Sequence, residues 1–151
     1  MSHTIEKDWT TRAGLRAVCL LIEDGPAWRC GYVEVSADHP LFGVQYGEHS
    51  KVLCSAWAAA QDGPIGKRGV IPMFCAAHEP TKATPERVFD VHGSITYSAS
   101  GVGGYPIKSD GWWFGFDCNH AGDEAGRTEA YVVSECEQLA KQIVEAAKEN
   151  R

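Results

Sequence analysis

"GWWFGFDCNHAGDEAG", residues 111–126, changes character halfway along. Its first half alternates. Trp112, Phe114, Phe116 and Cys118 fall on one side of an extended chain, opposite Trp113, Gly115 and Asp117. A period of two with large aromatics is the pattern of a buried β-strand. Its second half is a glycine-containing loop carrying Asp117, His120, Asp123 and Glu124. Just upstream, "RVFDVHGSITYSAS" (87–100) alternates as well. Val88, Asp90, His92, Ser94, Thr96 and Ser98 share one face, and Phe89, Val91, Ile95 and Tyr97 share the other. Joined by the glycine-rich "GVGGYPIKSD", the two runs predict an antiparallel hairpin. Matching the apolar faces puts His92, Ser94 and Thr96 on the side of Asp117, Gly115 and Trp113. A symmetric loop sets His92 opposite Asp117.

Downstream, "RTEAYVVSECEQLAKQIVEAAKENR" predicts a helix. Val132, Val133, Cys136, Leu139, Ala140, Ile143, Val144 and Ala147 form its apolar stripe. Thr128 is placed to cap its start. Further upstream, "LRAVCLLIE" and "AWRCGYVEV", joined by "EDGP", predict a second hairpin over residues 15–35. "SADHPLFGVQYGEHS" is expected to be a loop. Residues 50–86 form an irregular insert: "VLCSAWAAA" suits a strand or a short helix, "GVIPMFC" is extended with Pro72 at an edge, and "HEPTKATPER" is a polar linker. Residues 1–14 are expected to be a loosely ordered N-terminus. The fold class is therefore α+β: one domain over 1–151, with a mainly antiparallel sheet of four to six strands and the C-terminal helix packed on one face. The opposite face is left to carry a site.

Composition narrows the function. A net charge of −6 over 151 residues disfavours direct binding to nucleic acid or to anionic membrane. The polar start carries no leader-like apolar segment, and no run of about 18 apolar residues exists to span a bilayer. A cytoplasmic location is the resulting expectation. The six cysteines at 19, 30, 54, 75, 118 and 136 include no C-x-x-C pair. They are expected to be thiols rather than zinc ligands or disulfides.

The chemistry gathers at the end of the aromatic strand. His92, Asp117 and His120 form an acid–base set if a carboxylate orients an imidazole. Asp117, His120 and Asp123 form a mixed nitrogen and oxygen set for a divalent metal. Ser94, Thr96 and Trp113 would line the adjoining ligand pocket. Each group also has a plainer reading. Asp117 suits a side-chain turn cap, His92 a hydrogen-bonded sheet histidine and His120 a solvated loop residue, while Asp123 and Glu124 suit surface charge.

Three segments resemble motifs shared by a family of short, uncharacterised bacteriophage and bacterial proteins: "GYVEVSADHPLFGVQY" (31–46), "DVHGSITYS" (90–98) and "WWFGFDCNHAGD" (112–123), followed by a helix similar to "YVVSECEQLAKQI". The family pattern has two glycines after the histidine of the second motif, where this chain has Gly93 and Ser94. The resemblance implies a viral or mobile-element setting. It adds His39 to the pocket residues and brings no established activity. Two expectations follow. One is a small accessory protein that binds or hydrolyses a nucleotide-like ligand with metal assistance. The other is a non-enzymatic protein that blocks a host factor, including an anti-CRISPR type of role. The partner is accordingly a small-molecule ligand or a host protein.

Overall fold

The structure, a computed structural model, describes residues 2–23, 25–54, 83–119 and 127–148. Among the described residues five strands form one antiparallel sheet: β1 (His3–Thr10), β2 (Arg16–Ile22), β3 (Trp28–Val35), β4 (Tyr97–Ser100) and β5 (Trp112–Asp117). Their spatial order is β1-β2-β3-β5-β4. A four-residue helical turn, α1 (Pro85–Val88), precedes β4, and the long helix α2 (Glu129–Lys148) follows β5. The α+β architecture expected from the sequence is the one observed.

The 15–35 hairpin forms in the expected place, with Ala17 opposite Val33 and Ile22 opposite Trp28. β5 lies between β3 and β4, pairing Val33 with Phe114 and Tyr97 with Gly115. A central strand is covered on both faces, which is why every residue from Trp112 to Phe116 is buried. On one face, Ala17, Cys19, Val33, Val35, Phe114 and Phe116 meet Val132, Cys136, Leu139, Ala140 and Ile143 of α2. The stripe turns slightly from the expected one: Ala146 is buried, while Val133, Val144 and Ala147 are half-buried. Thr128 caps the helix as expected. Its hydroxyl accepts from the Tyr131 N–H at 3.1 Å and its carbonyl from the Val132 N–H at 3.1 Å.

The helix comes close because Gly31 leaves room for it. A Cβ at Gly31 would stand 2.5 Å from the Phe116 ring and 2.7 Å from Cys136 Sγ. The other sheet face is also covered. Val18, Leu20, Ile22, Tyr32 and Trp113 pack beneath Tyr105 and Ile107 of the β4–β5 connection. Tyr32 and Tyr105 join hydroxyls at 2.7 Å. The expectation of an open polar face away from the helix is therefore corrected: the glycine-rich connection folds back as a lid of apolar side chains.

Two further segments differ from expectation. Residues 1–14, read as loose, supply the eight-residue edge strand β1. Its hydrophobic signal is weak because both of its faces are largely exposed. β1 is held instead by polar contacts. Arg29 grips Glu6 with two bonds, Arg16 grips Asp8, and the Trp9 indole donates to Glu137 of α2 at 2.8 Å. A bulge between Ile5 and Lys7 shifts its register. Residues 88–98 are not one strand. Pro85 starts a helical turn, and Gly93 (φ 66°) and Ser94 (φ 69°) adopt left-handed backbone that interrupts extension. Only Tyr97–Ser100 pairs in the sheet. Residues 51–54 are helical, in keeping with the helical option for "VLCSAWAAA", and "GVIPMFC" lies outside the described residues.

Candidate functional site

The site grows from the turn Val91–Ser94. Gly93 and Ser94 bend the chain so that the Ser94 N–H donates to the Val91 carbonyl at 2.9 Å. The turn is fastened to α2 rather than to β5. The His92 N–H donates to Glu135 Oε1 at 2.8 Å, and His92 Nδ1 shares a hydrogen bond with the Tyr131 hydroxyl, also at 2.8 Å. The two rings meet edge to face, with centroids 5.4 Å apart. Arg127 lays its guanidinium over the other ring, 4.7 Å from the Tyr131 centroid. Its own carbonyl accepts from the Arg29 guanidinium at 3.1 Å, which ties the start of the helix to β3.

His92 is therefore not opposite Asp117. The side chain that meets Asp117 is instead Thr96, whose hydroxyl donates to Oδ2 at 3.1 Å. Asp117 Oδ1 accepts from the Asn119 N–H at 3.1 Å, the side-chain turn cap that was its plainer reading. The predicted hairpin register failed because Gly93 and Ser94 end the strand before it reaches His92. His92 belongs to the helix side of the molecule, which corrects its placement on the face away from the helix.

The other expected residues divide. Trp113 is fully buried, donates from Nε1 to Ser109 Oγ at 3.0 Å and lines the second core, so it faces no open pocket. Thr96 and Ser94 are exposed near the turn. His39 stands apart, in the loop after β3. Its Nδ1 accepts from the Leu41 N–H at 3.0 Å, and its buried Nε2 has no hydrogen-bond partner. Burial draws its pKa below the ordinary 6.5, opposed by the Ile143 backbone and by Asp38. His120, Asp123 and Glu124 lie outside the described residues. Among the described residues no group of three or more His, Cys, Asp or Glu side chains could hold a metal.

Tyr131, Glu135 and Arg127 escaped the sequence reading. Tyr131 and Glu135 are four residues apart and share a helix face, a spacing visible in the sequence but easily taken for a solvated edge of the stripe.

Ser94 makes a direct test of the turn. Left-handed backbone costs a residue with a Cβ roughly 1–2 kcal/mol, partly offset in glycine by its greater freedom when unfolded. Ser94→Gly should therefore raise stability by about 0.5–1 kcal/mol in denaturant unfolding. Equal or lower stability would show that serine carries no strain there.

Comparison with protein-family models, with curated proteins and with solved structures gave no match, so the function rests on the site itself.

Proposed function

We propose that this protein is a small phage-type accessory protein that binds a phosphate-bearing, nucleotide-like ligand beside the Val91–Ser94 turn and the first turn of α2. The observation that carries this reading is the strained, exposed Ser94, next to a histidine fastened from both backbone and ring to one helix. Strain of this kind gathers at ligand sites, where the surrounding contacts hold a geometry that folding alone would not choose. Arg127 supplies positive charge at the start of α2, and an imidazole is a donor suited to phosphate oxygens. Metal-assisted hydrolysis is the stronger form of the same reading. It requires Asp117, His120 and Asp123 to converge on a divalent ion.

Calorimetry and thermal shift with inorganic phosphate and with nucleoside mono-, di- and triphosphates, each with and without magnesium or manganese, test it. Saturable binding should raise the melting temperature. A hundredfold excess over Kd corresponds to about 2.7 kcal/mol of stabilisation. His92→Ala should abolish the effect while the protein stays folded. No stabilisation by any phosphate compound would overturn the proposal. Metal-dependent release of phosphate would establish the hydrolytic form.

A second reading, a protein that occupies and blocks a host factor, is favoured by the exposed aromatics of the loop after β3. Phe42 and Tyr46 are 37% and 38% exposed. On that reading Phe42→Ser and Tyr46→Ser abolish inhibition of the host factor, and His92→Ala does not.

A further inference from the structure

The thiols of this protein are not equivalent. The five described cysteines carry thiols rather than disulfides. Cys19, Cys30, Cys118 and Cys136 are buried. Burial pushes Cys19 up to about 12 and Cys30 up to about 11, and holds Cys136 well above the ordinary range. A thiol that cannot ionise is a poor nucleophile.

Cys54 differs in exposure and in its neighbour. It is half-buried, and residues 51–54 are helical. The Ser50 carbonyl accepts from the N–H groups of Leu53 at 3.0 Å and of Cys54 at 3.2 Å, which brings residue 54 back over the chain that enters the turn. His49 is exposed there, and its Nε2 lies 3.1 Å from Cys54 Sγ. Leu53 is fully buried, and the Ser50 N–H donates to the Ala83 carbonyl at 3.2 Å, so the turn is anchored on both sides. The charged side chains nearest in the chain are Glu48 and Lys51. Glu86 approaches Gly47 from α1.

An imidazole within hydrogen-bonding reach of the sulfur of a half-buried cysteine is the arrangement that activates a cysteine nucleophile. We infer that Cys54 and His49 form a reactive pair that undergoes thiol–disulfide exchange with low-molecular-weight disulfides of the glutathione class. His49 accepts the Sγ proton as the thiolate attacks one sulfur of the disulfide. A bond forms between Cys54 Sγ and that sulfur as the original S–S bond breaks. The departing thiolate takes the proton from His49. Cys54 is oxidised to a mixed disulfide, and one equivalent of small thiol is released. The inference is independent of the ligand site at His92.

The test uses the full chain with Cys75→Ser, which removes the thiol outside the described residues, treated with glutathione disulfide and mapped by peptide mass spectrometry. One mixed disulfide should form quickly, on Cys54. Cys54→Ser should remove that fast phase. His49→Asn should slow the reaction by about tenfold at neutral pH and shift its pH profile upward, since the thiol must then ionise unaided. Circular dichroism confirms that each variant is folded. Fast modification at any other cysteine, or an unchanged rate and pH profile in folded His49→Asn, would overturn the inference.

Discussion

A Gly31→Val variant is expected to melt roughly 5–10 °C below the wild type. Gly31 pairs with Cys19 on β2 and Phe116 on β5, and Cys136 of α2 passes directly over it. A Cβ there meets the Phe116 ring at 2.5–2.6 Å, and that ring is 1% exposed. It has nowhere to turn without displacing the helix. Overpacking of this kind costs roughly 1–3 kcal/mol, and more for a branched side chain, with about 2–4 °C lost per kcal/mol in a domain of this size. Gly31→Ala should fall between the two. Gly103→Ala is the matched control, because a Cβ there meets nothing within 4 Å. Thermal unfolding decides it: a Gly31→Val protein as stable as the Gly103→Ala control would mean that the helix does not approach the sheet at this point.

The converse change, removing bulk from the same interface, should act as strongly. Leu139 is fully buried at the centre of the α2 stripe. Leu139→Ala leaves a cavity between helix and sheet and should cost about 2–5 kcal/mol in denaturant unfolding. Lys141→Ala, on the exposed side, should change little. Gln142 makes a poor control. Its amide bridges to Asp90, accepting from the Asp90 N–H at 2.7 Å and donating to its carbonyl at 2.8 Å. Equal losses in Leu139→Ala and Lys141→Ala would displace the packing face.

The sequence was most legible where one local pattern had one structural outcome. β2 and β3 announced themselves through apolar runs split by Gly25 and Pro26, and β5 through its aromatics. The stripe of α2 could be read at Val132, Cys136, Leu139, Ala140 and Ile143 but not at Ala146, because 3.6-residue periodicity over twenty residues fixes the face and leaves its margins open. β1 was missed because Glu6, Lys7 and Asp8 look like a solvated start. Their role emerges only once Arg29 and Arg16 are brought alongside by the sheet.

The alternation over 88–98 misled for the opposite reason. Polar and apolar residues do take turns there, but the pattern is shared between a helical turn, a left-handed bend and a short strand. Gly93 was the available warning, and the left-handed Ser94 was not visible without the backbone. The site suffered accordingly. His92 was singled out, and its phenol and carboxylate partners on α2 were not, since they depend on how a helix seats across a sheet.

The irregular first strand also governs how the molecules behave toward one another. Among the described residues β1 borders the sheet, and a border strand of eight residues offers amides and carbonyls to which a foreign chain can zip. Here the misstep between Ile5 and Lys7 puts such a chain out of step partway along. The paired charges of Glu6 with Arg29 and Asp8 with Arg16 resist desolvation by an incoming apolar strand. A border of this kind is a poor template for extending the sheet from one molecule into the next.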